Sequence, residues 1–153
     1  MSLKTTFIYP GIAGHGFRSL QQGMEAGWIS HGLAHLSAAS KAHGFSTDLI
    51  DLRALSGWDE FREVLAKRDP DVVGITMMSV DYNPATRAIA IAKEVKPELT
   101  TVIGGPHVTI ALEDALQIPH VDYLVTREGE KTFPSLLELI ETGNPPSRRV
   151  LRG

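Results

Sequence analysis

The chain contains no cysteine, which excludes disulfides, thiolate zinc sites, a cysteine nucleophile and any cysteine-ligated iron–sulfur cluster within these residues. It also lacks a basic excess. Fifteen Lys and Arg against eighteen Asp and Glu give a formal charge of −3, so no global positive field draws it to a nucleic-acid backbone or an anionic membrane. No apolar run approaches the roughly 18 residues of a membrane span, and the N-terminus has neither the charged nor the apolar region of a signal peptide. The expectation is a cytoplasmic domain with no nucleic-acid and no membrane partner, whose ligands are read by shape. What is present is enough for one core: 153 residues, 42% of them apolar, bury a domain interior without covalent staples.

Short β-rich runs alternate with helical patterns. Strands are expected at 5–9, 47–52, 72–76, 101–103 and 121–126, and helices at 28–43, 58–67, 84–95, 109–116 and 131–142. Ala85, Ala88, Ile89 and Ala92 recur at i, i+3, i+4 and i+7, as do Phe133, Leu136, Leu137 and Ile140, so both stripes should face a sheet. Asn83-Pro84 reads as a helix start, and Gly44 and Gly143 as helix stops. The run Asp71-Val72-Val73-Gly74-Ile75-Thr76 is almost continuously apolar, as in a parallel strand covered on both faces. These patterns predict an α/β fold: a three-layer, doubly wound, parallel five-stranded sheet of flavodoxin-like or Rossmann-like type. The domain spans 4–143, and 144–153, with Pro145-Pro146 and three arginines, reads as the start of a linker.

Ligands in such sheets bind beyond the carboxyl ends of the strands, so function is sought in the β-to-α loops. The first loop is long, about 18 residues where two to six are ordinary, and it opens with Pro10-Gly11 and loosens again at Gly23 and Gly27. A passive surface insertion is the alternative. The third carries Met77 and Met78, flexible side chains suited either to an irregular pocket or to ordinary core packing. At Gly104-Gly105-Pro106-His107 paired glycines admit a ligand close to the backbone, or simply make a tight turn. Glu128-Gly129-Glu130 precedes a helix, where capping alone accounts for the acids.

Other chemistries find little support. Gly11, Gly14 and Gly16 do not make a dinucleotide fingerprint, because Ser19 stands at the third glycine and Asp51 lies about 35 residues past Gly16 instead of about 20. There is no phosphate-gripping Gly-rich loop ending in Lys and Ser or Thr, and no Ser in a nucleophile elbow. His31 and His35 are four apart on a predicted helix but have no Glu after His31 and no third ligand, so zinc is disfavoured. A receiver domain shares the topology only, since its acids and lysine are replaced by Tyr9-Pro10, Thr76 and Thr126-Arg127.

Several segments, in this order, carry a resemblance. Gly32-Leu33-Ala34-His35-Leu36, Asp48-Leu49-Ile50-Asp51, Asp71 to Thr76, Ile103-Gly104-Gly105-Pro106-His107-Val108-Thr109, Val121-Asp122-Tyr123 and Glu128-Gly129-Glu130 with Thr132 are similar to the N-terminal cobalamin-binding-type domain of radical S-adenosylmethionine enzymes. The resemblance implies cobalamin (vitamin B12) lying over the strand ends, with its nucleotide tail in the crevice between sheet and helices. Thr76-Met77-Met78 stands where the wider family has Ser-x-Leu, and Gly104-Gly105 stands at its glycine pair. The implied cofactor-binding residues are Pro10, Gly11, Thr76, Met77, Met78, Gly104, Gly105, Pro106, His107, Glu128, Gly129 and Glu130. A bulky residue at Gly104 or Gly105 is expected to abolish binding with little loss of fold.

Methionine-synthase-like relatives supply a lower cobalt ligand from Asp-x-His-x-x-Gly, but around His15 this chain has Ala13 and Arg18 at the Asp and Gly positions. No histidine ligand to cobalt is therefore expected, since a metal-bound His normally has such an orienting partner. The resemblance implies S-adenosylmethionine and a 4Fe-4S cluster, whose thiolate ligands this chain lacks. Both are therefore expected in a separate radical S-adenosylmethionine catalytic domain in cis that performs methyl transfer or other cobalamin-dependent radical chemistry, the other option being a domain that acts alone as a carrier. The chain itself carries no expected catalytic residue. The alternative is a degenerate, cofactor-free domain acting as an interaction or substrate-gating module.

Overall fold

The computed structural model describes residues 2–23 and 28–153; Gly27, read above as part of the loosened first loop, lies outside them. Adjacent residues on the central strands go to opposite cores. Phe7, Val72, Val102 and Val125 are buried on one side of the sheet, and their neighbours Ile8, Val73, Ile103 and Leu124 on the other. This is the period-2 pattern of a strand covered on both faces. Each such side chain, fully buried, contributes about 1.5–3 kcal/mol of transfer free energy.

The strands are β1 (Lys4–Tyr9), β2 (Ser46–Asp51), β3 (Val72–Thr76), β4 (Thr100–Gly104), β5 (Tyr123–Thr126) and β6 (Val150–Arg152). They form one sheet of order β2-β1-β3-β4-β5-β6, parallel throughout. Helices α1 (His31–Ala42) and α6 (Thr132–Glu141) cover the Phe7 side, where Leu33, Phe133, Leu136 and Leu137 meet the sheet. Helices α2 (Trp58–Arg68) and α3 (Tyr82–Val95) cover the Ile8 side, where Phe61, Leu65, Ala85, Ala88, Ile89 and Ala92 are buried. Two short helices, α4 (Pro106–Ile110) and α5 (Leu112–Ala115), join β4 to β5. The order reverses between β1 and β3, which opens a crevice at the carboxyl ends of those strands.

The three-layer α/β class is as expected, but the sheet has six strands, not five. The sixth comes from the segment read as linker: Leu151 is buried against the α1/α6 core, Leu124 donates its N–H to the Arg149 carbonyl at 2.8 Å, and the Tyr123 hydroxyl donates to the Pro146 carbonyl at 3.2 Å. Burial pushes the Tyr123 phenol above its ordinary pKa. Three residues after a Pro-Pro pair carry too little pattern to announce a strand, and the pairing to β5 is what makes one.

Helix starts moved too. Helix α1 begins at His31, not 28, because Ser30 caps it, its hydroxyl accepting from the Leu33 N–H, while Trp28 stacks on Tyr9 with centroids 5.2 Å apart. Helix α3 starts at Tyr82, which leaves Pro84 in the first turn, where its missing N–H costs nothing. The helix expected at 109–116 starts at Pro106 and breaks at Ala111. Gly44 and Gly143 do follow their helices with positive φ. Among the described residues, no helix is long and apolar enough to cross a membrane.

Candidate functional site

A cavity of about 120 Å3 lies between the carboxyl half of the sheet and helices α1 and α6. Its walls are apolar: Phe7 and Phe133, with rings 5.3 Å apart, and Leu33, Leu36, Val102 and Val125. Five glycines line it, namely Gly32 on α1, Gly74 in β3, Gly104 and Gly105 at the end of β4, and Gly129 before α6. Thr76, Arg127, Glu128 and Glu130 are the polar residues of the lining. An apolar cavity of about 150 Å3 accepts a benzene ring, so this space and its open mouth suit a flat, largely apolar group with a polar continuation.

Gly105 sets the local geometry. With φ +101 and ψ −178 it occupies backbone space essentially restricted to glycine. A Cβ there would lie 2.8 Å from the Met77 nitrogen and 2.9 Å from its carbonyl oxygen. Because none exists, Met77 donates its N–H to the Gly104 carbonyl at 2.8 Å and its carbonyl accepts the His107 N–H at 3.0 Å. The ends of β3 and β4 are thereby locked together. The expectation that a bulky residue at Gly105 spares the fold is thus corrected, because the side chain would strike backbone. Gly104 is less confined, its Cβ meeting the Val125 carbonyl at 3.3 Å.

Of the residues singled out in the sequence, Thr76, Gly104, Gly105, Glu128, Gly129 and Glu130 line the cavity, and the other six do not. Met77 is fully buried in the α2/α3 core, while Met78 is exposed at the strand end. Pro10 is buried, and Gly11 makes room for the Tyr9 ring, which a Cβ would strike. Pro106 opens α4. His107 is buried, with Nδ1 3.0 Å from the Ser79 hydroxyl, Nε2 2.9 Å from the Asp114 carboxylate, and the Tyr82 ring edge-on at 5.5 Å. It ties the β3–α3 connection to the β4–β5 connection, away from the cavity wall.

The described part of the long first loop also stays out of the wall. It runs along the β2–α2 connection, with the Arg18 N–H donating to the Leu55 carbonyl and the Gln21 amide to the Ala54 carbonyl, while Phe17 packs edge-on against Trp58. His15 is exposed on it. Sequence reasoning passed over Gly32, Gly74, Phe7, Phe133 and Arg127 as site residues. The signal available was Gly74, since a lone glycine within a strand marks a close approach of some other group.

Parallel order, a crevice at the switch point and a cavity walled by glycines define an α/β ligand-binding domain. The B12 binding domain family model matches residues 24–137, and the chain belongs to that family. It is similar to an anaerobic magnesium-protoporphyrin IX monomethyl ester cyclase of Rubrivivax gelatinosus, 31% identical over 145 residues, covering 92% of this chain and 25% of the relative. An uncharacterized methyltransferase of Pyrococcus horikoshii is 31% identical over 113 residues, covering 73% of this chain and 25% of the relative. The chain thus spans about a quarter of the length of these curated relatives. Among solved structures, the cobalamin-dependent S-adenosylmethionine radical enzyme OxsB with aqua-cobalamin bound shares the fold, with a TM-score of 0.72 at 14% identity over 95% of this chain and 20% of that one.

The residues present fit such a cofactor. The apolar cavity carries hydroxyl, carboxylate and guanidinium groups in its lining, and at Gly32 a missing side chain leaves its wall open, with no heavy atom within 4 Å of where a Cβ would be.

Proposed function

We propose that this chain is the cobalamin-binding domain of a longer radical S-adenosylmethionine enzyme, with the nucleotide tail in the glycine-walled cavity. The carrying observation is that this cavity sits in the crevice between sheet and helices in a member of the B12 binding domain family. Bound cobalamin supplies a corrin-held cobalt for methyl transfer or another cobalamin-dependent radical step, while the protein supplies binding, orientation and exclusion of water. Phe7, Phe133, Leu36 and Val125 keep the tail dry. Gly104, Gly105 and Gly129 let it approach the backbone, and Thr76, Glu128 and Glu130 meet its polar atoms at the mouth. Pro10, Gly11, Met78 and Pro106 follow the carboxyl ends of three strands and face the corrin side. Met77 and His107 hold that rim from behind.

In this reading no histidine of the chain ligates cobalt. S-adenosylmethionine and the 4Fe-4S cluster, whose ligands must be thiolates, belong to a catalytic domain in cis. The names of the cyclase and methyltransferase relatives support a parent enzyme of this kind.

Hydroxocobalamin at 100 times its dissociation constant is expected to stabilise the chain by about 2.7 kcal/mol, which raises the thermal midpoint of a domain this size by about 5–10 °C. The His15→Ala variant is expected to show the same shift and the same visible spectrum as wild type. No shift in either protein contradicts the reading, and a spectral change confined to His15→Ala contradicts the absence of a histidine ligand.

A further inference from the structure

We propose that Arg127 is the anion-binding residue of the cavity mouth and takes the phosphodiester of the cofactor's nucleotide tail, an inference that rests on the function proposed above. Arg127 follows β5 directly and lines the cavity. Its backbone is left-handed, with φ 60, a conformation that strains a residue with a Cβ and costs a glycine almost nothing. The Thr109 hydroxyl, at the end of α4, pins it by accepting the Arg127 N–H at 2.8 Å. An arginine is thus held where the backbone favours glycine, and a backbone outlier of this kind at a site points to a role for its side chain.

That side chain is uncommitted. Among the described residues the Arg127 guanidinium makes no hydrogen bond and no ion pair, although Glu128 and Glu130 line the same cavity. Arg53 is engaged with Asp51, Arg62 with Glu94, Arg68 with Asp48, and Arg149 with the Val121 carbonyl. Arg18, Arg148 and Arg152 make no side-chain hydrogen bond or ion pair among the described residues either, but none of them lines this cavity. Glu130 is instead 3.9 Å from His35 Nδ1. A guanidinium offers a planar fork of donors that matches two phosphate oxygens. The two carboxylates repel an anion from the rest of the mouth, which leaves the Arg127 side as its favourable place and leaves the carboxylates to hydroxyl or amide donors.

The test compares two corrinoids, hydroxocobalamin and dicyanocobinamide, which lacks the nucleotide and its phosphodiester, on wild type, Arg127→Gln, Arg127→Lys and Arg127→Gly. The expected result is an affinity for hydroxocobalamin about tenfold weaker in Arg127→Gln and Arg127→Gly, only partly restored in Arg127→Lys, which keeps the charge but not the fork, and an unchanged affinity for dicyanocobinamide in all four. Arg127→Gly relieves the left-handed backbone, so its free chain should melt no lower than wild type while binding hydroxocobalamin more weakly, a combination that a folding role does not produce. Wild-type affinity for hydroxocobalamin in Arg127→Gln, or an equal fall for both corrinoids, overturns the assignment. Failure of wild type to bind either corrinoid overturns the proposed function, and this inference with it.

Discussion

Replacing Gly32 by leucine is expected to weaken hydroxocobalamin binding about a hundredfold, or about 2.7 kcal/mol, while the free chain unfolds no more easily than wild type. Gly32 lies in the first turn of α1 and lines the cavity, and no heavy atom stands within 4 Å of where its Cβ would be. Four residues on, Leu36 also lines the cavity, and residues spaced by four share a helix face. An isobutyl group added there projects along the same wall and fills space that the tail needs. Nothing is strained by it, and leucine is the better helix former by roughly 0.8 kcal/mol. Absorbance titration against hydroxocobalamin, with thermal melts of both free proteins, separates the two effects. Wild-type affinity in Gly32→Leu would place the tail outside this cavity.

Gly105→Ala should show the reverse ordering, with stability failing first. A single methyl there adopts a conformation nearly closed to alanine and meets the Met77 backbone at 2.8 Å. Backbone cannot swing away as a side-chain end can. Relief requires moving the ends of β3 and β4 apart and giving up the Met77–Gly104 and His107–Met77 hydrogen bonds. Strain of about 1–3 kcal/mol plus the loss of one or two hydrogen bonds at about 1 kcal/mol each amounts to about 2–5 kcal/mol. The urea midpoint should fall accordingly at an unchanged slope. A loss below about 1 kcal/mol would show that the strand ends separate easily and that Gly105 is not what holds them together. The two glycines of one wall therefore act differently: Gly32 keeps space open for a ligand, and Gly105 permits the backbone approach that builds the wall.

Much of the fold was legible because its helices carry their cores as regular stripes. The α3 residues Ala85, Ala88, Ile89 and Ala92 are all fully buried, and Phe133, Leu136 and Leu137 of α6 sit under the sheet as their spacing required. Strand β6 was not legible, because Val150-Leu151-Arg152 alternates over only three residues and owes its conformation to β5. Gly104, Gly105 and Gly129 could be picked out because they stand at strand ends, where ligands bind in this class. Gly32 could not, since within a helix it reads as a tolerated defect, and Gly74 announced only the close approach of some other group, not which one. Only the folded chain brings them to one void. His107 misleads in the opposite way: its chemistry suggests a ligand, but Ser79 and Asp114 occupy both ring nitrogens.

In the proposed function this chain holds cobalamin through this cavity. The most direct measurement is the visible spectrum of the chain after anaerobic incubation with hydroxocobalamin and gel filtration, run in parallel with Gly32→Leu. The account predicts one corrinoid retained per wild-type chain and little or none on the variant. A wild-type chain that elutes colourless, or equal retention by the two proteins, would contradict it.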